Sequence, residues 1–165
     1  MLYAGASGAE PADAAAGKEP APTATAPELL SIAEQHKQQI AHLESEYGAY
    51  DARLGEQLLS QGRVYQQLKD HTRALEALKR AHHIKRVNGG LQSLGQVPIL
   101  QNITESNIAL RDWDAVDRNF DQLLWIYRRN YADGDPELLN IYDQVGRWKI
   151  QAYRDGLLKS DAYTP

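Results

Sequence analysis

Apolar residues recur along this chain at helical intervals, in blocks separated by short polar turns. Leu29, Leu30, Ile32, Ala33, Ile40 and Leu43 are spaced by threes, fours and sevens, which predicts an amphipathic helix opening at Pro27 and ending near Gly48. Asp51 is placed to cap a second helix, because a short acceptor side chain satisfies the first N–H groups. That helix carries Leu54, Leu58, Tyr65 and Leu68 and stops at Lys69-Asp70. After a tight turn, Ala74, Leu78, Ala81, Ile84 and Val87 predict a partner helix. Asn88-Gly89-Gly90 ends it, since Gly and Asn tolerate the left-handed backbone of a helix C-terminus.

The pattern then repeats. Tyr47-Gly-Ala-Tyr-Asp-Ala-Arg-Leu54 and Tyr131-Ala-Asp-Gly-Asp-Pro-Glu-Leu138 are related signatures 84 residues apart, and the stretch between them repeats at half that period, 42. Ser93 falls at the position of Asp51, with Gln96 three residues on as a capping-box partner. Asp135 takes the third position, followed by Pro136 in the first helical turn. Leu58, Leu100 and Tyr142 align, as do Gly62, Thr104 and Gly146. In the partner helices Ala74 matches Val116, Leu78 matches Phe120, Ala81 matches Leu123 and Ile84 matches Ile126. Pro98 either delays the start of its helix or kinks it. The last leading helix should run from about Pro136 to Tyr153, with too little chain after it for a long partner; its Leu, Ile, Tyr and Trp content makes its outer face sticky.

Gly62, Tyr65, Leu68, Ala74 and Ala81 have the spacing of the tetratricopeptide repeat. Over about residues 47–153 the chain resembles that family, in the 42-residue subtype seen in kinesin light chains and in uncharacterised bacterial proteins. The second repeat departs from the pattern, with Thr104, Asn107, Val116 and Leu123 at family positions for Gly, Tyr and Ala. The resemblance implies an all-α, right-handed superhelical stack of antiparallel helix pairs, about six helices in all. It also implies a concave face built from the leading helix of each pair. Transferred by position, that face comprises Glu56, Leu59, Arg63, Gln66 and Gln67, then Gln101, Asn102, Glu105 and Ile108, then Asn140, Asp143, Arg147 and Gln151. The partner-binding set expected from these is Arg63, Gln66, Gln67, Gln101, Asn102, Glu105, Asn140, Asp143, Arg147 and Gln151. Amides in such a row can pair with the backbone of an extended peptide.

Composition narrows the classes. The 165 residues are 42% hydrophobic, enough for one continuous core. A formal net charge of −4 argues against general nucleic-acid or anionic-membrane binding. There is no Cys for a disulfide, a thiolate metal site or a Cys nucleophile. No apolar run reaches the roughly 20 residues of a membrane span. Residues 1–26, rich in Ala, Gly and Pro, are expected to form a flexible leader, residues 27–155 the helical domain and residues 156–165 a tail. Met1-Leu-Tyr-Ala-Gly-Ala-Ser-Gly-Ala9 ends in small residues like an export-signal cleavage region but lacks the basic start and apolar core of one. It reads either as the stub of an export signal or as a plain tail; because Ala/Pro-rich linkers often follow exported N-termini, an exported, periplasmic location is preferred, with a cytoplasmic one as the alternative.

The chemistry-bearing residues form no recognisable catalytic or metal motif. His82 and His83 are adjacent and point about 100° apart on a helix, and no His pair has the spacing of a helical metal site. No phosphate loop or nucleophile turn is present, so no catalytic residue, cofactor or metal is assigned. Lys79-Arg80-Ala-His-His-Ile-Lys85-Arg86 reads as a solvated basic helix face rather than a nucleic-acid site. Trp113 and Phe120 fall in core register, whereas Trp125, Tyr127 and Trp148 are less fixed by the register, and packing is the first reading of them with an aromatic anchor at a partner interface as the alternative. Two functions compete: a non-enzymatic scaffold that binds an extended peptide or protein segment, and a self-associating module whose incomplete third repeat is capped by a homodimer.

Overall fold

The computed structural model describes residues 24–158, which are all-α among the described residues. Six helices follow one another: α1 (Ala26–Tyr47), α2 (Ala52–Gln67), α3 (His71–Gly89), α4 (Val97–Ala109), α5 (Trp113–Asn130) and α6 (Pro136–Arg154). Each helix packs on the next, and α2 also packs on α4. The proposed leader and tail fall mostly outside the described residues. Leu157 and Leu158, beyond the expected domain boundary at 155, pack against the cluster of Val116, Trp148 and Ala152.

The helix ends are fixed by local chemistry that recurs every 42 residues. Asp51 Oδ1 accepts from Arg53 N, Ser93 Oγ from Gly95 N and Asp135 Oδ1 from Glu137 N. These caps satisfy N–H groups that have no partner within the helix. Between α2 and α3 the chain turns at Lys69, with φ 62°, and between α4 and α5 at Arg111, with φ 59°. Each turn is held by a backbone bond, Asp70 N to Tyr65 O and Asp112 N to Asn107 O, both 2.9 Å. Asp70 and Asp112 then cap the following helix. The ends of the two partner helices are also alike. Asn88 Nδ2 donates to Tyr50 O and Ile84 O, while Asn130 Nδ2 donates to Gln92 O and Ile126 O. These asparagines pin each partner helix to the loop before its own leading helix. Their 42-residue spacing was legible, although in the sequence Asn88 stands out only as a helix stop.

Two expectations are settled at the start of α4. Gln96 does not complete a capping box with Ser93. It is fully buried, and its amide donates to Gly90 O and Leu91 O while its Oε1 meets His82 Nε2 at 2.9 Å. Of the alternatives for Pro98, the delayed start holds: a short 3-10 turn fills Leu94–Gln96, and α4 begins at Val97 with Pro98 in its first turn. A Pro there loses no helical bond, because its N–H would be without an intrahelical partner.

The core is continuous through the first pair and changes character in the second. Leu54, Leu58, Ala74, Leu78, Ala81 and Ile84 fill the α2–α3 interface, joined by Ile99 and Ile103 from α4. A Cβ added to Gly62 would lie 2.6 Å from Leu78 Cγ, so only glycine allows this approach. Val97, Leu100, Leu123, Ile126, Leu138, Ile141 and Val145 form the next cluster.

Candidate functional site

The leading helices α2, α4 and α6 carry the expected binding residues, and the structure divides those residues into two groups. Arg63, Gln67, Gln101, Glu105, Asn140, Asp143, Arg147 and Gln151 are exposed. Gln66 is not available at the surface. It is 7% exposed, and its Nε2 donates to Asn102 O at 2.8 Å and Ser106 Oγ at 2.9 Å. Asn102 is half-buried, with its own Nδ2 on Pro98 O at 2.6 Å. Gln66 is therefore corrected from a partner-binding residue to a clamp between α2 and α4, which Asn102 joins through its backbone carbonyl. Leu59 is buried in the first core cluster, and Glu56 is bound to Lys85 Nζ at 2.5 Å. Lys85 thus reaches back across α2, so the basic segment of α3 is not wholly a solvated outer face.

Shifting the clamp by 42 residues maps Gln66 to Ile108, Asn102 to Gln144 and Ser106 to Trp148. Ile108 cannot donate a hydrogen bond, and an indole replaces a small hydroxyl. Among the described residues the α6 backbone comes close to that of α5 and not to that of α4. Among α4, α5 and α6 there is an open cavity of about 350 Å³ lined by Ile108, Trp113, Phe120, Gln144, Arg147, Trp148 and Gln151. That volume is within the range of small ligand pockets.

The aromatic wall is rigidly held. Phe120 stacks on Trp148 with ring centroids 5.7 Å apart and 20° between planes, and Trp113 lies 6.2 Å from the same indole. Phe120 occupies the repeat position of Leu78. In the first pair Leu78 nests over Gly62, but in the second Thr104 stands at the glycine position and turns its hydroxyl to Leu100 O at 2.8 Å. A larger ring opposite a larger side chain cannot nest equally deeply, and the Phe120 ring instead packs on Trp148. The Trp148 indole N–H donates to Asp117 Oδ1 at 2.8 Å, which fixes the ring. Lys149 Nζ contacts the same oxygen at 2.6 Å and Asp121 Oδ1 at 3.0 Å. Burial disfavours the Lys149 charge, but its hydrogen bonds to Asp117 and Asp121 outweigh burial and raise its pKa.

The open rim is polar. Arg147 pairs with Asp143 at 2.8 Å, and Gln144 Nε2 donates to Asn140 Oδ1 at 3.1 Å. Both pairs are exposed, so an incoming carboxylate or carbonyl can displace them at little cost. The structure brings Ile108, Arg147 and Gln151 of the expected face together at one cavity. Gln144 was not among the expected face residues, and Trp113 and Phe120 were expected only to pack. The change from Ser106 to Trp148 at one repeat position was the signal that could have found the pocket. Among the described residues no group of three or more His, Asp or Glu side chains could hold a metal ion. No family model matches the chain, and no curated protein matches it either.

Proposed function

We propose that this protein is a non-enzymatic interaction scaffold of the tetratricopeptide type, its helix pairs stacked in a right-handed superhelix. It holds an extended peptide along the face of α2, α4 and α6 and seats one bulky apolar side chain in the aromatic pocket. The open, indole-walled cavity among α4, α5 and α6 carries this reading. A solvated face would need neither a fixed Trp148 nor a large cavity beside it. The pocket's one charged group, Arg147, is paired with an exposed Asp143 and is suited to gripping a carboxylate rather than to moving protons. Gln151 and Gln101 add amide donors and acceptors for the peptide backbone.

Selection of a random peptide library on the full chain tests this proposal. Peptides with a bulky apolar residue close to an acidic one should be enriched. Arg63→Glu with Arg147→Glu should weaken the best peptide by tenfold or more, because each charge-assisted hydrogen bond contributes about 1.5–3 kcal/mol. Lys79→Glu with Arg86→Glu, on α3, should change affinity little. If the α3 pair abolishes binding and the α2/α6 pair does not, the groove reading is wrong.

A further inference from the structure

α6 is apolar on two sides. Leu138, Ile141, Val145, Trp148 and Ala152 are buried. On another side Leu139 is 56% exposed, Tyr142 44%, Ile150 61% and Tyr153 91%. With Gly146 these residues are spaced 3, 4, 4 and 3 along the helix, which places them on one stripe. The first repeat shows what such a stripe is built for. Four of its five counterparts, Gly55, Leu58, Gly62 and Gln66, are buried, Leu78 of α3 fills the space over Gly62, and the fifth, Lys69 at the position of Tyr153, lies exposed in the turn after α2. A Cβ on Gly146 would meet nothing within 4 Å. The chain leaves α6 in the other direction: Leu157 N donates to Ala152 O at 2.9 Å, and Leu157 and Leu158 pack near Trp148.

The stripe is also symmetric about its glycine. Tyr142 and Ile150 lie four residues to either side of Gly146, and Leu139 and Tyr153 lie seven. A two-fold contact requires a surface complementary to itself, and the symmetric spacing sets a large apolar side chain of one copy opposite a large apolar side chain of an inverted second copy. We propose that α6 pairs antiparallel with α6 of a second copy, with the two-fold axis at Gly146. Tyr142 then packs on Ile150 of the second copy, and Leu139 on Tyr153 of the second copy. Glycine at the axis lets the two backbones approach closely. A helix from a different protein would not need the symmetry. Complete burial of these four side chains in both copies would remove about 1,000 Å² in total, the bottom edge for a specific interface, so a weak, concentration-dependent dimer is expected. Arg147 and Gln151 lie off the stripe, so the pocket stays open, and a dimer would present two of them to one partner. The interface does not depend on the peptide reading, and either can fail alone.

Sedimentation of the full chain across a dilution series from about 1 to 300 µM tests the pairing. A monomer–dimer equilibrium is expected. Ile150→Glu should give a monomer with an unchanged helical spectrum, and so should Tyr142→Lys. Mixing the two variants should restore a dimer, because the carboxylate introduced at position 150 of one copy then faces the ammonium introduced at position 142 of the other, while the second contact stays native. Leu30→Glu, at an exposed apolar residue on α1, should leave the dimer intact. A wild-type chain that stays monomeric throughout, or variants that fail to pair on mixing, would overturn the proposal and leave the stripe to another occupant.

Discussion

The two junctions between successive repeats occupy equivalent positions and are built from opposite chemistry. At the first, Gln66 bridges α2 to Asn102 and Ser106 of α4, while His82 of α3 holds the buried Gln96. At the second, the same positions are Ile108, Gln144 and Trp148, with Leu124 and Leu138 in place of His82 and Gln96. A hydrogen-bonded amide requires contact at about 2.9 Å, so the first junction is closed. Apolar and aromatic side chains pack by volume and set no such distance, and the second junction leaves a cavity. One repeat pattern therefore yields a rigid strut at one junction and a pocket at the other.

The largest expected difference is at the shared Ser106 and Trp148 position. Trp148→Ala should destabilise by about 3–5 kcal/mol, because it removes a buried indole from under Phe120 and Trp113. Ser106→Ala should cost about 1 kcal/mol, since Gln66 keeps its bond to Asn102 O. Chemical denaturation measures both, and comparable losses would mean the two junctions are not built differently.

Next is a single substitution at two equivalent glycines. Gly62→Ala should destabilise by about 1–3 kcal/mol through the clash with Leu78. Gly146→Ala should stabilise by about 0.5–1 kcal/mol, measured at low protein concentration, because the site is open and alanine favours the helix. Thermal melts that shift in the same direction for both would show that Gly146 is already covered.

The smallest effect concerns acid. Burial lowers the His82 pKa, with the hydrogen bond to Gln96 opposing and the nearby Arg86 and His83 adding to the shift. The folded state thus favours neutral His82, whose Nε2–H can donate to Gln96 Oε1. Its contribution is complete above the unfolded value near 6.5 and is lost as pH falls from there through the lower folded pKa. The second junction, with Leu124 at this position, has no such dependence. The difference in denaturation midpoint between wild type and His82→Gln should therefore change between about pH 7 and about pH 5. A constant difference would place the His82 proton outside the first junction.

Helix identity, the 42-residue period and the caps at Asp51, Ser93 and Asp135 could be read from the sequence, whereas Asp70 was read only as a helix stop and Asp112 not as a cap. Asp51, Ser93 and Asp135 each meet a backbone N–H two residues away, and Asp70 and Asp112 each meet one three residues away. Such bonds are settled by neighbours along the chain, so the local sequence determines them. Exposure of the expected face was legible in part, because helical periodicity separates Arg63 and Arg147 from the core without saying what a neighbouring helix will do. The fates of Gln66 and Gln96 were not legible. Both are polar residues that the pattern placed at a surface or a cap, and both are buried because distant groups offered them partners. The pocket lies further still from the local pattern. It depends on the combined volumes of Trp148, Phe120 and Thr104, contributed by three different helices, and only packing in three dimensions determines whether such volumes close a gap or leave one open.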